Sequence, residues 1–133
     1  MNEPQFFTPE GYGDMLRENF HFMQAVRVGD RVETSGQGGW FSDFSFPETI
    51  REEIVNAFTN LGRVLELSNA SWKDVIHINS YHVPMSDEAL AVMTEQFRLH
   101  MPDRPPIWTC LGVPALGNPN MRIEIRATAI LKG

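Results

Sequence analysis

Glu124 is the residue of this chain whose type and position best suit it to handling protons. It lies in the alternating run Ile123-Glu124-Ile125-Arg126-Ala127, although acidic side chains are depleted in strand interiors. One reading makes it a solvated carboxylate, or one ion-paired across the sheet with Arg122 or Arg126. The other makes it a partly buried group that moves protons or places water at a subunit interface. Trp108 and Cys110 stand two residues apart, and so share one face of a neighbouring strand. Cys110 has no helix N-terminus or adjacent histidine to activate its thiol, so lining a pocket suits it better than nucleophilic attack. Trp108 follows the stiff segment Arg104-Pro105-Pro106 and offers apolar surface beside the face carrying Glu124.

Other chemistries lack their residues. His21, His77, His82 and His100 form neither an HxH pair nor an HExxH helix, and Cys110 is the single cysteine. No metal site is expected, and no intramolecular disulfide can form. Gly36-Gln37-Gly38-Gly39 does not match a dinucleotide fingerprint, and there is no phosphate-binding loop or GxSxG, so no cofactor is expected. Eleven Lys and Arg against 17 Asp and Glu give a net charge of −6, with no basic cluster to attract nucleic acid. No apolar run approaches the roughly 20 residues of a membrane span. Residues 1–13 lack the basic and apolar regions of a secretory signal, which points to the cytoplasm.

The elements that must position these residues form one α+β domain over residues 1–133. Residues 1–13, polar and broken by Pro and Gly, read as an extended arm. Phe20–Val28 and Arg31–Ser35 read as strands joined by the turn Gly29-Asp30. The glycines after Ser35 mark a backbone that bends sharply or approaches something closely. Ser45-Phe46-Pro47-Glu48 has capping-box spacing, and Ile50, Ile54, Ala57, Leu61 and Val64 make a helical stripe. Asp74–Val83 reads as a strand, and Ser86-Asp87-Glu88 opens a second helix that Pro102 ends. Ile107–Val113 and Met121–Leu131 complete a β-β-α-β-α-β-β order. Two helices cover one sheet face, towards Ile123, Ile125, Ala127 and Ala129. Arg122, Glu124, Arg126 and Thr128 point the other way, towards water or another copy of the chain.

From Phe20 to Ala129 the chain resembles the Rid family, also called YjgF or L-PSP proteins. The resemblance rests on Thr34-Ser35-Gly36-Gln37, Asn60-Leu61, Ala70-Ser71-Trp72-Lys73-Asp74-Val75-Ile76, Arg104-Pro105-Pro106 and Ile123-Glu124-Ile125 with Ala127. It implies a chorismate-mutase-like fold, homotrimers whose sheets form a central barrel, and a small-molecule pocket at each subunit interface. It also implies cofactor-free hydrolysis of reactive imines and enamines, such as 2-aminoacrylate, to keto acids and ammonia. The family's catalytic glutamate falls on Glu124, its serine on Ser35, its cysteine on Cys110 and its pocket tyrosine on Phe22. Its substrate-binding arginine falls on Trp108. An indole cannot grip a carboxylate as a guanidinium fork does, which removes about two to three decades of affinity for such substrates. The chain therefore resembles an arginine-lacking branch, and Arg104 is the nearest cation able to compensate. A deaminase of imines not held by a carboxylate is the leading expectation. A non-catalytic binding module using the same cleft is the alternative, with ribonuclease activity behind both.

Overall fold

Two apolar stripes organise the structure, a computed structural model that describes residues 3–131. The first belongs to α2 (Ile50–Leu67), whose Ile54, Ala57, Phe58, Leu61, Val64 and Leu65 are all buried. Its N-cap is Thr49: the hydroxyl accepts from the Glu52 backbone N–H at 3.1 Å and donates to Oε1 of Glu52 at 2.8 Å. The N-cap thus lies four residues beyond the one expected at Ser45. The second stripe belongs to α3 (Asp87–His100), capped by Ser86 and burying Ala89, Val92 and Met93. Both helices pack on one side of a sheet, against Ile78, Ile123, Ile125, Ala127 and Ala129.

The sheet has six strands: β1 (Gln5–Phe7), β2 (Ala25–Val28), β3 (Arg31–Thr34), β4 (Val75–His82), β5 (Ile107–Gly112) and β6 (Ile123–Ile130). Their order is β1-β2-β3-β6-β4-β5, antiparallel throughout except for the parallel pair β4 and β5. The β2–β3 hairpin closes at Gly29-Asp30 as the sequence predicts, with Val28 opposite Arg31. The alternation in β6 also holds. Ile123, Ile125, Ala127 and Ala129 are buried under the helices, while Glu124 and Arg126 stay partly exposed on the other face.

Residues 1–13 were expected to form an extended arm, and 20–28 a strand. Instead Gln5–Phe7 pairs with β2 as the sheet edge, and a third helix, α1 (Tyr12–Phe20), follows. Helix α1 ends at His21, whose left-handed backbone (φ 58°) turns the chain into β2. It carries no capping side chain at Gly11, so the usual start signal is missing from the sequence. Its anchor is Tyr12, which packs with Trp40, Phe44 and Met121 in a small second core.

Arg122 also departs from expectation. It precedes β6 and turns back to α2, where its Nε meets Oε1 of the buried Glu53 at 2.7 Å. Its backbone N–H donates to Oε2 of the same carboxylate at 2.8 Å. This pair ties the start of the last strand to the first turn of α2.

Candidate functional site

Glu124 reaches its position through a strand-like extension of β3. Beyond Thr34 the chain stays beside β6, where Gln37 N–H donates to Ile125 O at 2.6 Å and Ile125 N–H donates to Gln37 O at 2.9 Å. This bridge lays Gly36 against the Glu124 side chain. A Cβ at residue 36 would stand 2.4 Å from Cδ of Glu124, so only glycine leaves room. The Gln37 side chain is buried and anchors the loop from within. It accepts from the Tyr12 hydroxyl at 2.8 Å and donates to Oε1 of Gln24 at 2.7 Å. Burial pushes the Tyr12 phenol up to about 12, so it remains a donor at neutral pH. From below, Asn60 and Asn56 of α2 donate to the carbonyls of Gly38, Gly39 and Trp40. Asn60-Leu61, conspicuous in the sequence, is thus a clamp on the glycine loop.

These elements enclose a cavity of about 670 Å³. One wall is α1, through Met15, Leu16 and Phe20. Phe22, the aromatic pair Trp40 and Phe44, and Met121 beside Trp40 continue it. Glu124, Ser35, Asn19 and Asn118 are the polar side chains among its lining residues. Neither arginine expected as an ion-pair partner serves Glu124: Arg122 is held by Glu53, and Arg126 by Glu33 and Asn79. Among the described residues the Glu124 carboxylate has no hydrogen-bond or ion-pair partner. Burial therefore pushes its pKa above the ordinary glutamate value, because desolvation penalises the charged form. Ser35 donates its hydroxyl proton to Met23 O at 2.7 Å, which leaves its oxygen as an acceptor. A shallower hollow of about 390 Å³ shares Phe22 and Ser35 and includes His21 and Glu33.

The sequence places Glu124, Ser35, Phe22, Trp108 and Cys110 in one site. The structure brings the first three together and sets the other two apart. β5 does not adjoin β6; β4 lies between them. Glu124 pairs with Tyr81 and Tyr81 with Leu111, whereas Cys110 pairs with Ser80 and Trp108 with Ile78. Trp108 and Cys110 consequently face the helices, opposite to Glu124. Trp108 packs edge-on against Phe97 of α3 at 5.0 Å, and its Nε1 donates to Oγ of Ser80 at 2.9 Å. Ser80 in turn contacts Nε2 of the buried His82 at 2.9 Å, and burial holds that imidazole below the usual histidine range. Cys110 lies 3.9 Å from Sδ of Met85. Arg104 does not compensate for a missing pocket cation, because its Nη2 is bound to the carbonyls of Lys73 and Val75. The pocket walls from α1 and Trp40 were not legible beforehand; the Gly-Gly-Trp sequence at 38–40 was the available hint.

No group of three or more His, Cys, Asp or Glu among the described residues is arranged to hold a metal ion. No helix among them is long and apolar enough to cross a membrane.

Substituting Gly36 by Ala tests the loop contact. The new methyl displaces the Glu124 carboxylate, and wherever a side chain reacts, an angstrom-scale misplacement costs about a hundredfold in rate. Stability falls by only about 1 kcal/mol, the low end for overpacking, because the carboxylate can swing into the cavity. Thermal melts of Gly36→Ala, set beside an assay of any reaction at this carboxylate, separate the two effects.

A mixed six-stranded sheet, helices on one face and a carboxylate-floored pocket beside its last strand define a class of small α+β proteins with solved relatives. The family model described as Endoribonuclease L-PSP matches residues 14–131, and the chain belongs to this family, the one the sequence resembled. The chain is 34% identical over 115 residues to a 2-iminobutanoate/2-iminopropanoate deaminase of Dermatophagoides farinae, covering 84% of this chain and 86% of that one. It is 26% identical over 119 residues to the RutC family protein YjgH of Escherichia coli (strain K12), covering 90% of each. A solved structure of protein YjgH superposes with a TM-score of 0.84 at 25% identity, over 98% of both chains.

Proposed function

We propose that this protein is a cofactor-independent deaminase of reactive imines, working in the cavity floored by Glu124. The observation that carries this reading is the Glu124 carboxylate: unpaired, partly buried, and raised in pKa by burial. A carboxylate tuned upward is a better base than an exposed one. A relative bearing the deaminase name at 34% identity supports the reaction class.

In this reading water attacks the imine carbon. A C–O bond forms, the C=N π pair moves to nitrogen, and Glu124 takes a proton from the water. The resulting carbinolamine receives that proton on nitrogen. Glu124 takes the hydroxyl proton and delivers it to the amino nitrogen; C=O forms, the C–N bond breaks, and ammonia leaves with the pair. Imine and water are consumed; a carbonyl compound and ammonia are produced. Ser35 accepts a hydrogen bond from the imine nitrogen. The cavity lining that one chain supplies holds no Lys or Arg, which supports a substrate not held through a carboxylate–arginine pair. The same absence weighs against RNA, whose phosphates need cations.

Generating imino compounds with an amino-acid or amine oxidase, and following their loss with and without the protein, tests the reaction. Failure to accelerate the loss of any imine, with normal folding, overturns it.

A homotrimer in the cytoplasm is part of the proposal. The sheet face away from the helices exposes Phe6, Ile107 and Leu111, apolar side chains that an assembly would cover. Trp108 and Cys110 contribute to a ligand site only across a subunit boundary. Light scattering is expected to give about three times the 15.1 kDa chain mass; a mass of one chain removes both the trimer and that contribution.

A further inference from the structure

The polar groups of the cavity specify what enters it more narrowly than the reaction class does. Ser35 has spent its one proton on Met23 O. Glu124 can offer lone pairs, and the lining that one chain supplies includes the neutral amides of Asn19 and Asn118 but no Lys, Arg or His. Ser35 and Glu124 are thus acceptors, and the one formal charge in that lining is negative. A ligand with a carboxylate beside its imine carbon would bring a second anion to this wall with nothing to neutralise it. A ligand with N–H donors and a positive charge meets both acceptors and supplies the counter-ion that Glu124 lacks.

Size and surface add a second constraint. A cavity of about 670 Å³ far exceeds the needs of a three- or four-carbon imine. Its remaining walls are Phe20, Phe22, Trp40, Phe44, Met15 and Met121, aromatic and thioether surfaces that favour apolar groups and cations alike.

We propose that the natural ligand is an organic cation: a protonated imine, or the corresponding amine, that lacks a carboxylate and carries a bulky aryl or branched-alkyl body. Glu124 is its counter-ion, Ser35 accepts from its nitrogen, and the aromatic wall receives the apolar body. This deepens the deaminase reading, and rests on it only for the imine form, since binding of the stable amine requires no turnover.

The test uses ligands matched in shape and opposite in charge. Binding of 2-phenylethylamine and of 3-phenylpropanoate to the full chain is measured by calorimetry at neutral pH, with methylamine as the cation that lacks a body. The phenyl amine is expected to bind at least tenfold tighter than either. Glu124→Gln is expected to remove that preference without weakening the acid, and a thermal melt verifies that the variant is folded. Equal or tighter binding of the acid to the wild-type chain overturns the proposal, whether or not the variant folds. Equal affinity for methylamine overturns the apolar part. Imine turnover is scored separately. Amine selectivity without turnover refutes the deaminase and leaves this inference standing; turnover of imino acids without amine selectivity does the reverse.

Discussion

Replacing Glu124 by glutamine is expected to lower kcat/KM for imine hydrolysis by about a hundred- to ten-thousandfold, the usual contribution of a positioned general base. The amide keeps the size and shape of the side chain but cannot take a proton from water. The substitution is also expected to stabilise the protein, because nothing in the fold pairs with the charge it removes. The direction depends on pH. Burial raises the folded-state pKa of Glu124 above its unfolded value, so the folded chain holds this proton more tightly. The resulting stability is fully present below the unfolded pKa and is lost as pH rises through the folded one. Glu124→Gln is therefore expected to melt about 2–5 °C higher than wild type at pH 8, with the difference shrinking towards pH 4. The activity profile of the wild type should show its acid limb above the ordinary glutamate range. An inactive variant with a lower melting temperature at pH 8 would make Glu124 structural. A stable variant with full activity would remove it from the chemistry.

What could be read in advance depended on whether one element or several had to agree. The stripe Ile54-Ala57-Leu61-Val64 identifies α2 by itself, because helical period and burial coincide. The alternation Ile123-Glu124-Ile125 likewise assigns Glu124 to the open face before any neighbour is known. Ser35 and Phe22 came into view through the family resemblance, whereas the glycines after Ser35 signalled a close approach by themselves, and what Gly36 approaches is Glu124. Helix α1 was hidden by its nine residues, an uncapped start at Gly11 and a left-handed stop at a histidine. The face that Trp108 and Cys110 take was not legible for a different reason. Their shared face followed from spacing, but which face it was depended on β4 lying between β5 and β6. That is a property of strand order, which local pattern does not carry. Arg122 was assigned to the open face by extending an alternation one residue past the start of the strand.

Arg122→Met is expected to be the most destabilising substitution of a partly exposed residue in this chain. Glu53 is 0% exposed in α2, and Arg122 supplies the cation that meets it, through Nε at 2.7 Å and a backbone N–H at 2.8 Å. The guanidinium also donates to the carbonyls of Pro47 and Glu48 at 3.1 and 3.2 Å, holding the chain that enters α2. Methionine keeps much of the apolar stem and removes the charge. The backbone N–H remains, but the carboxylate is left buried with no cation, a situation that costs about 3–5 kcal/mol. Glu53→Gln removes the charge from the other side and leaves Arg122, one-third exposed, able to reach water. It should therefore cost less than Arg122→Met. The double variant Glu53→Leu with Arg122→Met, which buries neither charge, should recover part of the loss. Urea titrations of the three variants at pH 7 check the order. Equal losses for Arg122→Met and Glu53→Gln, with no recovery in the double variant, would show that packing around α2, rather than the orphaned carboxylate, sets the cost. The predicted order instead makes the pair a strut. It fixes the first turn of α2 to the start of β6, two residues before Glu124, and so holds the strand that carries Glu124 to the helix whose asparagines clamp the glycine loop.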